Sequence, residues 1–189
     1  MPKADSANTY PSKDAHTNEK VTVALDVYNS APKDDIFITR YSQEGILPVF
    51  LVITNDGDQP ISVKGMGAQL VTGRRAKLEA LDVEDVFRRV AHIQGSSNPR
   101  QVGPITIPSN KNKKAQQQYD EITRAHFAAE AVEPHTTRAG FLFFDIENVQ
   151  QPVVGSHLYL TGVLDSRGNE LMYFEIPLIS ANAASPGGQ

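Results

Sequence analysis

The chain has 189 residues, of which 40% are hydrophobic and 21% are charged, and its formal net charge is −4. This length suffices for one domain with a buried core and is marginal for two. The acidic balance argues against a nucleic-acid-binding protein, which usually carries a strongly basic domain. Since the chain contains no cysteine, it has no disulfide, no thiolate nucleophile and no cysteine-based zinc site.

The N-terminal part divides into a polar stretch and a strand. Residues 1–19 are polar and contain proline, and we interpret them as a flexible leader without the apolar core of a signal peptide. Residues 20–28 alternate between apolar and polar side chains, which predicts a strand. No run in the chain approaches the roughly 18 apolar residues that span a membrane, so we expect no transmembrane segment in it.

Residues 45–63 carry the clearest indication of fold class. The run 46–53 is apolar and rich in β-branched side chains, and the cluster Asn55-Asp56-Gly57-Asp58 ends it. A second extended run begins at Pro60, so the pattern predicts two adjacent antiparallel strands. Pro48 lies inside the first run and predicts an edge position or a bulge there.

The middle of the chain changes to a helical period. After a strand at 68–72, Asp82 is a plausible N-cap for an amphipathic helix over 83–92. Residues 113–131 predict a second helix, which Pro134 would stop. The intervening residues, 94–112, are dense in glycine, proline, serine and asparagine and predict a long surface loop.

Strands return near the C-terminus. The segments 139–146, 157–164 and 170–178 are strand-like, and residues 165–169 form a hairpin turn between the last two. Residues 180–189 predict a disordered tail. Seven or eight short strands predict a mainly β protein: one antiparallel β-sandwich domain over 20–179, with a two-helix insertion at about 74–136.

Few side chains form a pattern typical of catalysis or metal binding. The five histidines lack metal-ligand spacing, and we interpret His126 and His135 as structural residues of a helix and a turn. The acidic turns at 55–58 and 165–170 offer oxygen ligands, but aspartate, asparagine and glycine are also what tight turns require. We therefore predict no catalytic residue, no metal site and no cofactor.

Basic residues concentrate in the predicted insertion. Residues 74–124 hold 10 Lys/Arg against 6 Asp/Glu, which makes this segment basic within an acidic protein. If these side chains cluster in space, an acidic protein or another anionic component is a suitable partner. The candidate partner-binding residues are Arg74, Arg75, Arg88, Arg89, Lys111, Lys113 and Lys114.

Three segments resemble known proteins. TNDGDQPISV, at 54–63, is similar to a motif of bacterial immunoglobulin-like modules found on extracytoplasmic proteins. With AVEPHTTRAGFLFFDIENV and LYLTGVLDSRGNELMYFEIPL, the resemblance extends to a family of uncharacterised envelope proteins that includes lipoproteins. It implies an immunoglobulin-like β-sandwich, but it transfers no catalytic residue, since the family has no assigned activity.

These observations favour a non-catalytic binding or structural module of the bacterial cell envelope, with its partner surface on the helical insertion. An extracytoplasmic location, in the periplasm or at the outer membrane, requires a signal and possible lipid anchor outside this chain; if Met1 is the native start, the protein is cytoplasmic. One alternative is a hydrolase with His126 or His135 and a carboxylate between insertion and sandwich. Another is a small-ligand carrier with the long loop as a lid.

Overall fold

The structure, a computed structural model, describes residues 2–92 and 112–179. Three helices are α1 (Ala31–Asp34), α2 (Val83–Val90) and α3 (Asn112–Ala125), with short 3₁₀ turns at Ala7–Thr9 and Tyr41–Glu44. The strands are β1 (Ser12–His16), β2 (Val21–Val27), β3 (Ile46–Asn55), β4 (Ile61–Ser62), β5 (Gly67–Val71), β6 (Lys77–Glu79), β7 (Ala131–Val132), β8 (Thr136–Asp145), β9 (His157–Thr161) and β10 (Phe174–Pro177).

Two four-stranded antiparallel sheets dominate the fold. The first has the order β1-β2-β3-β8, the second has the order β10-β9-β5-β6, and β4 pairs separately with β7. The described chain is therefore mainly β, as predicted, and its two sheets are consistent with a β-sandwich. In a constant-type immunoglobulin domain the strand that follows the second one lies in the opposite sheet. Here β3 follows β2 in the same sheet, so an immunoglobulin-like connectivity is not confirmed.

Strand β3 lies at the centre of the hydrophobic core, and all ten of its residues are buried. Leu47, Val49, Leu51 and Ile53 face one cluster, which includes residues of β5, β9 and β10. Ile46, Phe50 and Val52 face a second cluster, which includes residues of α2 and α3. Because sheet and helices cover its two faces, β3 shows a continuous apolar run instead of alternation.

Pro48 lies at a local edge of the sheet, as predicted, because β8 pairs with residues 46–55 of β3 whereas β2 pairs only with residues 49–55. The backbone N–H of Tyr28 donates to the Pro48 carbonyl at 3.0 Å. In an antiparallel pair the nitrogen and oxygen of one residue face the same neighbour. The backbone nitrogen of Pro48 thus points beyond the end of β2, where the ladder requires no N–H donor.

The prediction of a flexible leader at 1–19 is wrong for residues that the structure describes. Ser12–His16 is β1 and pairs with β2 along its whole length. Ala7 is fully buried, and its N–H donates to Thr54 Oγ1 at 2.8 Å. As an edge strand, β1 buries little of one face, so a polar sequence suffices to form it.

The predicted hairpin at 45–63 is also wrong in its pairing. The run after the turn forms β4, which pairs with β7, because β2 and β8 already occupy both edges of β3. The Asn55 side-chain amide donates to the Gln59 carbonyl at 2.8 Å and to the Val132 carbonyl at 3.1 Å. These bonds hold the turning chain against β7.

The two predicted helices are present, but α3 ends at Ala125 instead of continuing to 131. The next residues lie along β8: the Phe127 N–H donates to the Phe141 carbonyl at 3.0 Å. In the last predicted strand, 170–178, Phe174, Ile176 and Leu178 are buried, whereas Met172 is 73% exposed and precedes β10. The centre of the predicted loop at 94–112 and the predicted tail at 180–189 lie outside the described residues.

Candidate functional site

The first pair of predicted partner-binding residues lies in the turn between β5 and β6. Arg74 donates from Nη1 to Gln150 Oε1 at 2.8 Å, and both side chains are exposed. Arg75 is exposed and adopts a left-handed conformation with φ of 65°. These two arginines thus lie at the end of the second sheet and not on the helices.

The second pair lies on α2, and its members have different surroundings. Arg89 makes a two-pronged contact with Asp145 at 2.7 and 2.5 Å. Its hydrogen bonds hold the pKa of the Asp145 carboxyl below its ordinary value and raise the pKa of Arg89. Arg88 makes a looser, exposed contact with Asp85 at 3.4 Å. Arg89 therefore supports the packing of α2 on β8, and its charge is largely compensated.

The remaining basic residues are on α3 or outside the described residues. Lys113 and Lys114 are exposed in the first turn of α3, and Lys111 lies outside the part of the chain that the structure describes. Helices α2 and α3 pack through Phe87 and Tyr119, whose ring centroids are 5.1 Å apart. The structure thus places the six described residues on three different elements.

The two acidic turns line one shared cavity of about 340 Å³ at one end of the sandwich. The Asp165 carboxylate accepts the N–H groups of Arg167 and Asn169 at 2.8 and 2.9 Å. Asp58 contacts Lys20 at 3.4 Å and His135 at 3.2 Å. These carboxylates stabilise turns and ion pairs. Within residues 2–92 and 112–179, no group of three metal-ligating side chains comes together.

A larger cavity, of about 600 Å³, lies where the predicted insertion meets the sandwich. We call it the β8 groove. Its walls are residues 63–64, 66–68, 79–82 and 126–130, and Leu142 of β8 lies at its base. All of these residues are within the described chain.

Backbone hydrogen bonds to the outer edge of β8 position two walls of the groove. The Leu81 N–H donates to the Phe143 carbonyl at 2.8 Å, and the Phe127 N–H donates to the Phe141 carbonyl at 3.0 Å. Both wall segments are therefore attached to β8 at carbonyls two residues apart, on either side of Leu142.

Gly140 allows one of these walls to approach β8. A Cβ atom at this position would lie 2.5 Å from Phe127 Cα and 2.8 Å from Phe127 N, both backbone atoms. Such contacts are too short for any side chain, so a glycine is required here for steric reasons. Gly140 is not among the residues singled out from the sequence, although a glycine inside an apolar strand is a signal that could have indicated close backbone approach here.

The groove combines an apolar base with a charged rim. Ala68, Phe127 and Leu142 are buried in the core cluster between the sheets or at its edge. Three carboxylates, those of Glu79, Asp82 and Glu130, and one ammonium, that of Lys64, line the same groove. This composition suits a ligand with apolar groups beside positive charge.

His126 lines the groove and is half-buried. Burial lowers its pKa, while the charges of Asp82 and Glu84 act in the opposite direction. The histidine ion pairs found in the described chain involve His16, His92 and His135. The hydrolase alternative asked for a histidine and a carboxylate together in a cavity. The carboxylate that contacts His135 is that of Asp58, on an exposed turn: the His135 side chain is 65% exposed and that of Asp58 is 72% exposed.

Comparisons with known proteins leave the family of the chain unassigned. No protein-family model matches the sequence, and no curated protein is significantly similar to it. Two solved structures share distant similarity. One is described as a putative lipoprotein (ycdA) of Bacillus subtilis, at 14% identity and a TM-score of 0.43, covering 92% of this chain and 40% of that one.

The other is a conserved hypothetical protein from Bacillus anthracis, at 12% identity and a TM-score of 0.31, covering 83% of this chain and 87% of that one. Because the match covers only 40% of the Bacillus subtilis protein, this chain spans less than half of the length of that protein. With TM-scores this low, neither neighbour assigns a fold or a function to it. Among the described helices, none combines the length and apolar character needed to cross a membrane.

Proposed function

We propose that this protein is a non-catalytic binding module of the bacterial cell envelope that holds a segment of a protein partner in the β8 groove. The observation that carries the proposal is the groove itself, a cavity of about 600 Å³ with a buried apolar base and a charged rim. Ligand sites in proteins have this size and this combination of apolar and polar lining. Two of its walls, 79–82 and 126–130, belong to the predicted insertion, but none of the six described basic residues predicted to bind a partner lines the groove.

Site-specific photocrosslinking tests this function. Ala128 is exposed and lines the groove, and Glu133 is exposed and lies outside it. A photoreactive phenylalanine analogue is placed at either position in the full-length protein, which is expressed in bacterial cells. We expect discrete crosslinked products from position 128 and none from position 133. Identical patterns at the two positions would contradict a groove-specific partner.

The envelope location rests on the resemblance of residues 54–63, 131–149 and 158–178 to extracytoplasmic modules. Fractionation of cells that express the full-length gene tests it, because an envelope protein separates from a cytoplasmic marker enzyme. We expect the protein in the periplasmic or membrane fraction. Recovery with the cytoplasmic marker would refute the location without affecting the groove.

A second candidate surface remains for an anionic component of the envelope. Lys113 and Lys114 are exposed on adjacent positions of α3. Arg88 and Arg89 belong to the same prediction, but reversing Arg89 would also disrupt its contact with Asp145. Replacing only the two lysines by glutamate is therefore the cleaner test: it should reduce sedimentation with vesicles rich in phosphatidylglycerol. Unchanged sedimentation would exclude this surface.

A further inference from the structure

We propose that the occupant of the β8 groove is a peptide segment that combines lysine or arginine with aliphatic residues. This inference rests on the proposed function and names the chemistry of the partner. It follows from three properties of the groove: its apolar base, the sign of charge at its rim and the state of the β8 edge.

The apolar base accounts for the aliphatic residues. Phe127 is 6% exposed and Leu142 is 5% exposed, and both belong to the core cluster between the sheets. Met66 and Ala129 are partly buried and pack against that cluster. Phe127 and Leu142 have little free surface, so aliphatic side chains that enter the groove would cover mainly the exposed parts of Met66 and Ala129, at about 25 cal/mol for each Å² removed from water.

The rim accounts for the positive charge. Glu79, Asp82 and Glu130 contribute three carboxylates, and Lys64 contributes one ammonium. Lys64 and Glu130 contact each other at 3.4 Å, and each side chain is 71% exposed. An exposed pair of this kind contributes little stability. A cation on the partner can therefore compete with Lys64 for Glu130, while an anionic partner would meet a repulsive rim.

Histidine does not offset this charge near neutral pH. His126 lines the groove, and its pKa lies below the ordinary value because of burial. The imidazole is therefore mostly neutral at pH 7. The rim keeps an excess of negative charge under physiological conditions.

The β8 edge limits how a peptide can bind. The carbonyls of Phe141 and Phe143 accept the N–H groups of Phe127 and Leu81. A partner strand therefore cannot extend the sheet at these two positions, and main-chain pairing provides little of the affinity. Side-chain contacts in the groove and at its rim must select the partner, so sequence composition and charge decide binding.

Two peptides of equal length provide the probe: acetyl-(Leu-Lys)₃-amide and acetyl-(Leu-Glu)₃-amide. Isothermal titration calorimetry of the full chain at low ionic strength should show at least about tenfold tighter binding of the lysine peptide, a difference of about 1.4 kcal/mol. The preference should decrease with added salt, because the rim charges are exposed. Equal affinity for the two peptides would overturn the proposal.

Variants locate the binding. Ala128→Trp fills the groove from an exposed position, and Glu130→Gln removes a rim charge; each should weaken binding of the lysine peptide by about fivefold or more. Glu133→Gln removes a charge at an exposed position outside the groove and should leave the affinity unchanged. Equal effects of Glu130→Gln and Glu133→Gln would show non-specific attraction and overturn the assignment to the groove.

Two further results separate this inference from the proposed function. If hexylamine binds as tightly as the lysine peptide, the groove takes a small organic cation and the peptide proposal fails. If the crosslinks at position 128 form while neither peptide binds, the groove has a partner of other chemistry, and only the present inference fails. Absence of both crosslinks and peptide binding refutes both.

Discussion

Replacing Gly140 by alanine is the most direct test of how the groove wall is built. The added Cβ would lie 2.5 Å from Phe127 Cα, and real Cβ atoms essentially never come closer than 3.0 Å. The contact must therefore open by at least 0.5 Å. The nearest atoms belong to the backbone, so no side-chain rotation can relieve the clash.

The size of the effect follows from two opposing contributions. Forcing an extra carbon into a close-packed site costs about 1–3 kcal/mol. Alanine also reduces the conformational freedom of the unfolded chain, which raises the free energy of unfolding by about 0.4–1 kcal/mol. The segment that must move is bonded to β8 through Phe127 N–H and the Phe141 carbonyl, at 3.0 Å. We therefore expect Gly140→Ala to reduce the free energy of unfolding by about 1–2 kcal/mol.

Urea unfolding followed by circular dichroism measures this change, and the chain offers a matched control. Gly65 has no atom within 4 Å of the position that a Cβ would take. Gly65→Ala should therefore be neutral or slightly stabilising, within about 0.5 kcal/mol. If the two alanine variants have the same midpoint and the same slope, the close approach of residues 126–127 to β8 is not a constraint. Weaker peptide binding by Gly140→Ala would show that the wall has moved.

Three other predictions concern the contacts that hold the helices. Arg89→Ala removes the two-pronged contact with Asp145 of β8 and should lower the free energy of unfolding by about 1 kcal/mol. Arg88→Ala removes only an exposed ion pair and should lower it by less than about 0.5 kcal/mol. Similar urea midpoints for the two variants would contradict this difference. Glu121→Ala removes the carboxylate that accepts the N–H groups of residues 38 and 39 at 2.5 and 3.0 Å. It should lower the free energy of unfolding by about 1–3 kcal/mol and speed proteolysis within residues 29–45. An unchanged cleavage rate in this segment would refute the prediction. The pKa of His126 is lower in the folded than in the unfolded protein, so the free energy of unfolding should decrease as the pH falls below about 6.5. His126→Gln should weaken this pH dependence. Parallel curves of stability against pH for the two proteins would contradict the prediction.

The elements that the sequence predicted well have a strong period or a cap within their own residues. Strand β2 alternates, helix α2 has a capping aspartate, and both lie where the pattern placed them. The Asp82 side chain accepts the Asp85 N–H at 2.7 Å, as the cap prediction required. Local chemistry decided these elements, so a single sequence was enough.

The failed predictions involve pairing and contacts that no single segment shows by itself. Strand β1 is polar and recognisable only through its partner β2, and β4 takes β7 as a partner from 70 residues further along the chain. Helix α3 ends at Ala125 because the next residues bond to β8, and no residue within the helix signals that end. Tertiary contacts overrode local preference in each case.

The groove illustrates the same limit for a site. Its lining comes from four separate parts of the chain, and no motif connects them. His126 is predicted from the sequence as a structural residue of a helix, whereas it lies directly after the end of α3 and lines the groove. Gly140, a glycine in an apolar strand, could have indicated that another backbone segment approaches β8 at this point.

The net charge of a sequence segment does not describe the charge of the surface to which that segment contributes. Residues 74–124 are basic by count, yet this segment contributes Glu79 and Asp82 to an acidic rim. One of its arginines, Arg89, is compensated by Asp145, which lies 56 residues away in sequence. The basic side chains that remain exposed, such as Lys113, lie on a different part of the fold from the groove. A cationic partner in the groove and an anionic one at α3 are therefore compatible, and single substitutions at Glu130 and Lys113 should affect them independently.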